Sequence, residues 1–68
     1  MVDTRALRGI WTGRGYTQAQ VAKEIGVKPN TMTRRMKTGV FGSDEIEKLI
    51  VLLNIEDPMN IFFAPKVT

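Results

Sequence analysis

The fold of this chain is decided by the stretch Thr17-Gln-Ala-Gln-Val-Ala-Lys-Glu-Ile-Gly-Val-Lys-Pro-Asn-Thr-Met-Thr-Arg-Arg-Met-Lys37. Thr17 and Gln20 have the spacing of a capping box, in which each side chain binds the other residue's backbone N–H at a helix start. Gly26 supplies the left-handed backbone of a sharp turn, and Pro29 fits the first position of a helix because its φ is already set. The stretch therefore predicts two short helices joined by a tight turn.

The remaining segments also carry helix signals, and none shows the alternation of a strand. The further predicted helices run over Thr4 to Arg14, Ser43 to Leu53 and Pro58 to Ile61, and Asp3 is a good N-cap for the first. Four apolar side chains are expected to enter the core: Val40, Phe41, Phe62 and Phe63. We therefore predict one all-α bundle of about four to five short helices over residues 1–63, followed by a flexible tail over 64–68.

The composition argues against several classes of site. The 68 residues include neither cysteine nor histidine, which removes disulfides, thiolate metal sites and the commonest general base. Catalysis would then depend on carboxylates, and Asp44, Glu45 and Glu47 are expected on the surface, where they favour a helix start. No run of about 18 apolar residues and no signal peptide is present. We expect a cytoplasmic, non-enzymatic domain without cofactor, metal, small-molecule ligand or membrane association.

Four of the ten Lys and Arg residues lie between positions 28 and 37, in the predicted third helix. They are Lys28, Arg34, Arg35 and Lys37. No Asp or Glu occurs between Glu24 and Asp44, although the whole chain has a formal net charge of only +3 and a pI near 9.7. A solvated helix face is the plain interpretation of such a cluster alone. Behind a rigidly angled turn, however, a positive and acid-free helix suits the DNA major groove.

A spaced pattern runs through the centre of the chain: Gly15-Tyr-Thr-Gln18, Val21-Ala22, Ile25-Gly26-Val27, Asn30-Thr31-Met32 and Gly39. It resembles the Cro/repressor-type (lambda-repressor-like) helix-turn-helix family of phage and bacterial regulators, and the likeness extends from about Ala6 to Phe63. The resemblance implies a sequence-specific regulator, Cro-like in scale, that occupies a double-stranded DNA operator. Such groove readers commonly bind paired half-sites, so a homodimer formed on the DNA is also implied.

The resemblance assigns DNA contacts to the starts of the second and third helices. Gln18 matches a glutamine that holds a phosphate or supports the reading helix. The base-reading positions of the family correspond to Lys28, Pro29, Asn30, Thr31 and Arg34 in this chain. Pro29 replaces a polar reader and offers only an apolar contact, such as one to a thymine methyl group.

The chemistry of each side chain leaves alternatives open. Arg34 suits a two-point contact with guanine O6 and N7, or else binds a phosphate. Asn30 suits adenine N6 and N7, or else caps the helix. Thr31 and Thr33 either touch phosphate or simply face solvent, and Gln18 is either a phosphate ligand or an ordinary exposed side chain.

Three cations are predicted to bind phosphates and so to set the salt dependence of binding: Lys28, Arg35 and Lys37. Arg14, beside the first helix, is a fourth residue able to reach a phosphate. Arg35 occupies a position that is usually apolar in the family. Either the helix is rotated, or this side chain extends past the apolar surface to a phosphate.

A protein-interaction module on the same scaffold is the alternative function, as in an antirepressor, antitoxin or coactivator. This alternative predicts an apolar surface around Trp11 or Met59 and no salt-dependent DNA binding. Core packing is expected for the two adjacent phenylalanines. The exposed parts of four side chains would still serve as a dimer contact: Trp11, Leu52, Met59 and Phe62.

Overall fold

The structure, a computed structural model, describes residues 1–63, and this part of the chain folds into five helices without strands. They are α1 (Thr4–Gly13), α2 (Gln18–Ile25), α3 (Pro29–Thr38), α4 (Ser43–Leu53) and α5 (Pro58–Phe62). The predicted all-α bundle is confirmed, although α1 ends one residue earlier and α5 one residue later than expected. The predicted tail over 64–68 lies outside the described residues. No helix within residues 1–63 has both the length and the apolar character required to span a bilayer.

Side chains at the helix starts explain why α1 and α2 begin where they do. Asp3 Oδ1 accepts from the backbone N–H of Ala6 at 3.1 Å. Thr17 Oγ1 accepts from the Gln20 N–H at 3.2 Å, and Gln20 Oε1 accepts from the Thr17 N–H at 2.8 Å. These bonds satisfy N–H groups that have no partner within the helix. They confirm the predicted N-cap and the predicted capping box.

One face of each helix contributes to the core. Its largest fully buried side chains are Leu7, Trp11, Val21, Met32, Leu49, Leu53 and Phe62. α2 packs on α1, α3 and α4, and α1 also packs on α5. α3 meets the core through Met32 and Met36, which are 0% and 7% exposed, so its opposite face is left for solvent.

Two apolar side chains that were expected in the core are exposed instead. Val40 is 60% and Phe63 is 59% exposed, whereas their neighbours Phe41 and Phe62 are buried. Adjacent residues point about 100° apart on a helix and to opposite sides of an extended segment, so only one of each pair faces the core. Trp11 and Phe62 are each 2% exposed. The prediction that these two side chains contribute to an outer dimer contact is therefore wrong.

Candidate nucleic-acid interface

α2 and α3 are joined by a turn of three residues, Gly26 to Lys28. Gly26 has the left-handed backbone expected of it, with φ 78° and ψ 28°. The Val27 N–H donates to the Ala22 carbonyl at 2.9 Å and closes the end of α2. Lys28 is extended, with φ −73° and ψ 152°, and Pro29 takes the first helical position. The predicted turn is confirmed, and it fixes the direction in which α3 leaves α2.

The outer face of α3 carries most of the predicted site residues. Its exposed members are Lys28, Pro29, Asn30, Thr33, Arg34 and Lys37. Thr31 is half-buried, so its expected outward position holds only in part. The inner face is occupied by Met32 and Met36, four residues apart. This separation follows from helical geometry, in which residues three and four apart share a face.

Three cations of the outer face have no acidic partner among the described residues. The ion pair found within residues 1–63 joins Arg35 to Glu45 and involves none of them. We call these three side chains, Lys28, Arg34 and Lys37, the basic face. Because no neighbouring carboxylate neutralises the basic face, it presents a positive potential to an approaching polyanion.

Arg35, the fourth cation of α3, is held within the molecule. Its Nη2 donates to Glu45 Oε2 at 3.3 Å, and its Nε lies 3.0 Å from Glu45 Oε1. The segment of α3 contains no acidic residue, but Arg35 has a counter-charge in Glu45 of the next helix. The surface position expected for Glu45 is wrong, because this residue is only 9% exposed. Both features arise because the start of α4 lies against α3, an arrangement that local spacing does not reveal.

Gln18 links the outer face of α3 to α1 and α2. Its Nε2 donates to Thr33 Oγ1 at 3.4 Å, and the Thr33 hydroxyl donates to the Pro29 carbonyl at 3.1 Å. Arg8 Nη2 donates to Gln18 Oε1 at 3.5 Å, the longest of these bonds and a weak one. The bond from Gln18 to Thr33 is also longer than usual. It joins α2 to α3, and the roles that the resemblance implies for Gln18 stay predictions. Sequence reasoning missed Arg8, because its contact with Gln18 depends on how α1 lies against α2.

Arg14 is placed apart from the α3 residues. It is the exposed C-cap residue of α1. It lines a groove with Asn54, Glu56 and Asp57, so two acidic residues share its surroundings. The predicted phosphate contact of Arg14 consequently lacks the support that geometry gives to the basic face.

Within residues 1–63, no group of three or more Asp, Glu, Cys or His residues is arranged to hold a metal ion. No family model, curated protein or solved structure matches this chain. The candidate interface is therefore defined by its own geometry. It consists of the exposed outer face of α3 with its basic face, joined to α2 by a short turn and by the long contact between Gln18 and Thr33.

Proposed function

We propose that this chain is a sequence-specific, double-stranded-DNA-binding transcriptional regulator, a Cro-like repressor that inserts α3 into the major groove. The basic face is the observation that carries the proposal, because its three cations are exposed and unpaired within the described residues. α3 has ten residues and is therefore about 15 Å long. The major groove of B-DNA is about 12 Å wide and admits an α-helix between its phosphate strands.

Arg34 is the proposed base reader. It is exposed on the outer face of α3, and a guanidinium binds guanine O6 and N7 together. Asn30 lies four residues earlier, on the same side of the helix, and its amide suits adenine N6 and N7. Pro29 adds an apolar surface for a thymine methyl group. The three residues together would read neighbouring base pairs.

The other outward residues are proposed to bind the phosphate backbone. Lys28 and Lys37 lie at opposite ends of α3, where a helix in the groove approaches the two phosphate strands. Gln18 is proposed to bind a phosphate with the part of its amide that Thr33 does not engage. Each neutralised phosphate releases counterions, so binding weakens as the salt concentration rises.

A pair of chains is proposed to occupy each operator. One α3 reaches only a few base pairs, so a single copy reads a short half-site. A second copy one helical turn away, about 34 Å along the DNA, doubles the length of the recognised sequence. An operator of this kind is expected to be a palindrome.

Selection from a random pool of duplex DNA tests the proposal directly. The wild-type chain is expected to enrich a short motif, in palindromic form if two copies bind. Gel-shift titration of the enriched duplex at about 50 and 200 mM salt should show the affinity falling at least about tenfold. A chain that enriches no motif and binds without salt dependence is not a groove reader.

A protein-interaction module is the second candidate function, and a separate observation favours it. Met1, Val40 and Phe63 are 71%, 60% and 59% exposed, and all three line one groove with the buried side chains Val2 and Phe62. Exposed apolar side chains gathered in one place are typical of protein-binding surfaces. This hypothesis predicts no salt-dependent DNA binding, so the same gel-shift titration separates the two functions.

The position of this apolar groove differs from the one expected from the sequence. Trp11 is buried and offers no surface, whereas Met59 is 65% exposed.

Val40→Lys places a charge in the groove without altering the outer face of α3. Under the interaction hypothesis this variant loses its partner protein. Under the DNA-binding proposal it retains the enriched motif of the wild-type chain.

A further inference from the structure

We propose that Arg35 and Glu45 form a positioning pair, which sets the direction of Arg34 without touching DNA. This inference rests on the proposed DNA-binding function and deepens it. It also replaces the phosphate contact that the sequence predicted for Arg35. The pair joins α3 to the third residue of α4, and so ties the candidate reading helix to the core of the bundle.

The carboxylate of Glu45 holds two elements at once. Its Oε1 accepts from the backbone N–H of Gly42, the N-cap residue of α4, at 2.9 Å. Its Oε2 accepts from Arg35 Nη2 at 3.3 Å. One side chain therefore connects the start of α4 to α3, across the segment that links the two helices.

The space around Gly42 is consistent with this arrangement. A Cβ at this position would lie 3.1 Å from Asp44 Oδ1 and 3.6 Å from the Glu45 carboxylate. The distance to Glu45 is an ordinary van der Waals contact, and the nearer Asp44 carboxylate is the end of an exposed side chain that can shift. The Glu45 side chain therefore turns back towards the Gly42 N–H and Arg35 without crowding at the N-cap position.

Burial explains why Arg35 stays with Glu45 when a phosphate is near. The Glu45 side chain is only 12% exposed, and that of Arg35 is 34% exposed. Glu45 is the buried charged residue of the described chain, and a buried carboxylate that loses its cation is strongly destabilised. Arg35 Nε is also buried, 3.0 Å from Oε1 but with its N–H poorly aligned for a hydrogen bond. Moving Arg35 to a phosphate would leave this carboxylate without its partner.

The pair controls Arg34 through the geometry of the helix. Adjacent side chains on a helix differ in direction by about 100°. Fixing the guanidinium of Arg35 against α4 therefore adds to the hold that the buried Met32 and Met36 have on the rotation of α3 about its axis. Arg34, the next residue, is held pointing away from the bundle, where it is exposed.

Glu45→Gln gives opposite results under the two roles of Arg35. The glutamine oxygen still accepts from the Gly42 N–H, but the negative charge is lost. If the pair positions α3, affinity for a duplex enriched by the wild-type chain from random DNA should fall about tenfold at every salt concentration. If Arg35 instead binds a phosphate in competition with Glu45, the same variant releases Arg35 and its affinity rises.

Arg35→Met and Lys37→Met provide a matched pair on the same helix. Both variants remove one charge and keep an unbranched apolar stem. Lys37→Met should lower the slope of log affinity against log salt by about 0.9, as expected for one lost phosphate contact. Arg35→Met should leave that slope unchanged and lower the affinity at all salt concentrations. Arg35→Met should also reduce the preference for the base pair read by Arg34. Arg35→Lys, which keeps the positive charge, should retain part of the affinity and part of the base preference that Arg35→Met loses.

The outcomes separate the two proposals. Binding is measured at a temperature where circular dichroism shows that each variant is folded. If Arg35→Met does not fold, Arg35→Lys and Glu45→Gln are used in its place. A wild-type chain without salt-dependent DNA binding overturns the function and the pair together. A wild-type chain that binds, with Glu45→Gln equal or tighter, overturns the positioning pair alone. A lower slope of log affinity against log salt for Arg35→Met also overturns the positioning pair alone, because it would show that Arg35 binds a phosphate.

Discussion

The two ends of α3 are held in different ways. At its N-terminal end, Lys28 makes no side-chain cap bond, and both Lys28 and Pro29 are exposed. At its C-terminal end, Gly39 donates to the Arg35 carbonyl at 2.8 Å and accepts from the Val2 N–H at 2.9 Å. The ion pair with α4 adds a further tie at this end. The C-terminal end is thus anchored to the N-terminal segment and to α4, whereas the N-terminal end, joined to α2 by the turn, is open in the sense that the side chains of Lys28 and Pro29 are exposed to solvent.

Gly39→Ala changes the anchored end of α3 and should cause the largest loss in the free energy of unfolding. Gly39 has φ 73°, and a Cβ there would lie 3.0 Å from Met1 Cγ and 3.2 Å from the Val2 carbonyl oxygen. Left-handed strain plus crowding against backbone should lower the free energy of unfolding by about 3 kcal/mol. Urea denaturation measures this loss.

Gly9→Ala is the control for the Gly39 variant. Gly9 lies within α1, and a Cβ there meets nothing within 4 Å. Replacement should stabilise the chain by about 0.5–1 kcal/mol, because alanine favours the helix. A Gly39→Ala variant as stable as Gly9→Ala would show that neither the left-handed backbone of Gly39 nor its contact with the N-terminal segment opposes a side chain there.

Arg34→Ala tests the outer face of α3 and should have the next largest effect. Loss of a two-point guanine contact should weaken operator binding by about 1–3 kcal/mol and relax the preference at one base pair. Competition between the enriched duplex and single-base variants measures both quantities. Arg5→Ala, an exposed arginine on α1, is the control and should leave the preference intact. An unchanged preference in Arg34→Ala would show that Arg34 reads no base.

Gly26→Ala tests the turn before α3, at the open end of the helix. Gly26 has φ 78°, close to that of Gly39, but the nearest atom to a Cβ would be Lys48 Nζ at 3.9 Å. Only the left-handed strain remains, so the free energy of unfolding should fall by about 1 kcal/mol. The difference in free energy of unfolding between Gly39→Ala and Gly26→Ala, measured by urea denaturation, therefore shows how much the crowding at the C-terminal end of α3 adds to left-handed strain. A loss at Gly26 as large as at Gly39 would contradict this difference.

The sequence predicted the features that depend on neighbouring residues. Asp3, Thr17 and Gly26 each act within a few positions of themselves, and their caps and turn lie where they were expected. The separation of the inner and outer faces of α3 also follows from local periodicity. These signals are enough for the all-α architecture and for most of the side chains that face outward from α3, although Thr31 is half-buried.

The sequence did not predict the contacts that depend on how helices meet. Arg35 looked like one more surface cation, because nothing local shows that Glu45 approaches it. Phe63 looked like core because it is aromatic, but its neighbour Phe62 takes the inward position. In both cases the answer depends on the placement of another helix. The sequence thus identified the cations of α3, but it could not show that Arg35 is paired with Glu45 while Arg34 is exposed.

Lys28→Ala is the finest test of the open end, with the smallest expected change in free energy. Lys28 makes no cap bond through its side chain, so alanine should leave the urea midpoint unchanged. If Lys28 meets a phosphate, the slope of log affinity against log salt should fall by about 0.9, with base preference unaltered. Arg5→Ala is again the control, since it also removes one exposed cation but on α1. A lower slope at Lys28 with an unchanged slope at Arg35 would show that the first turn of α3 meets a phosphate and that Arg35 does not, because only cations that meet phosphates release counterions.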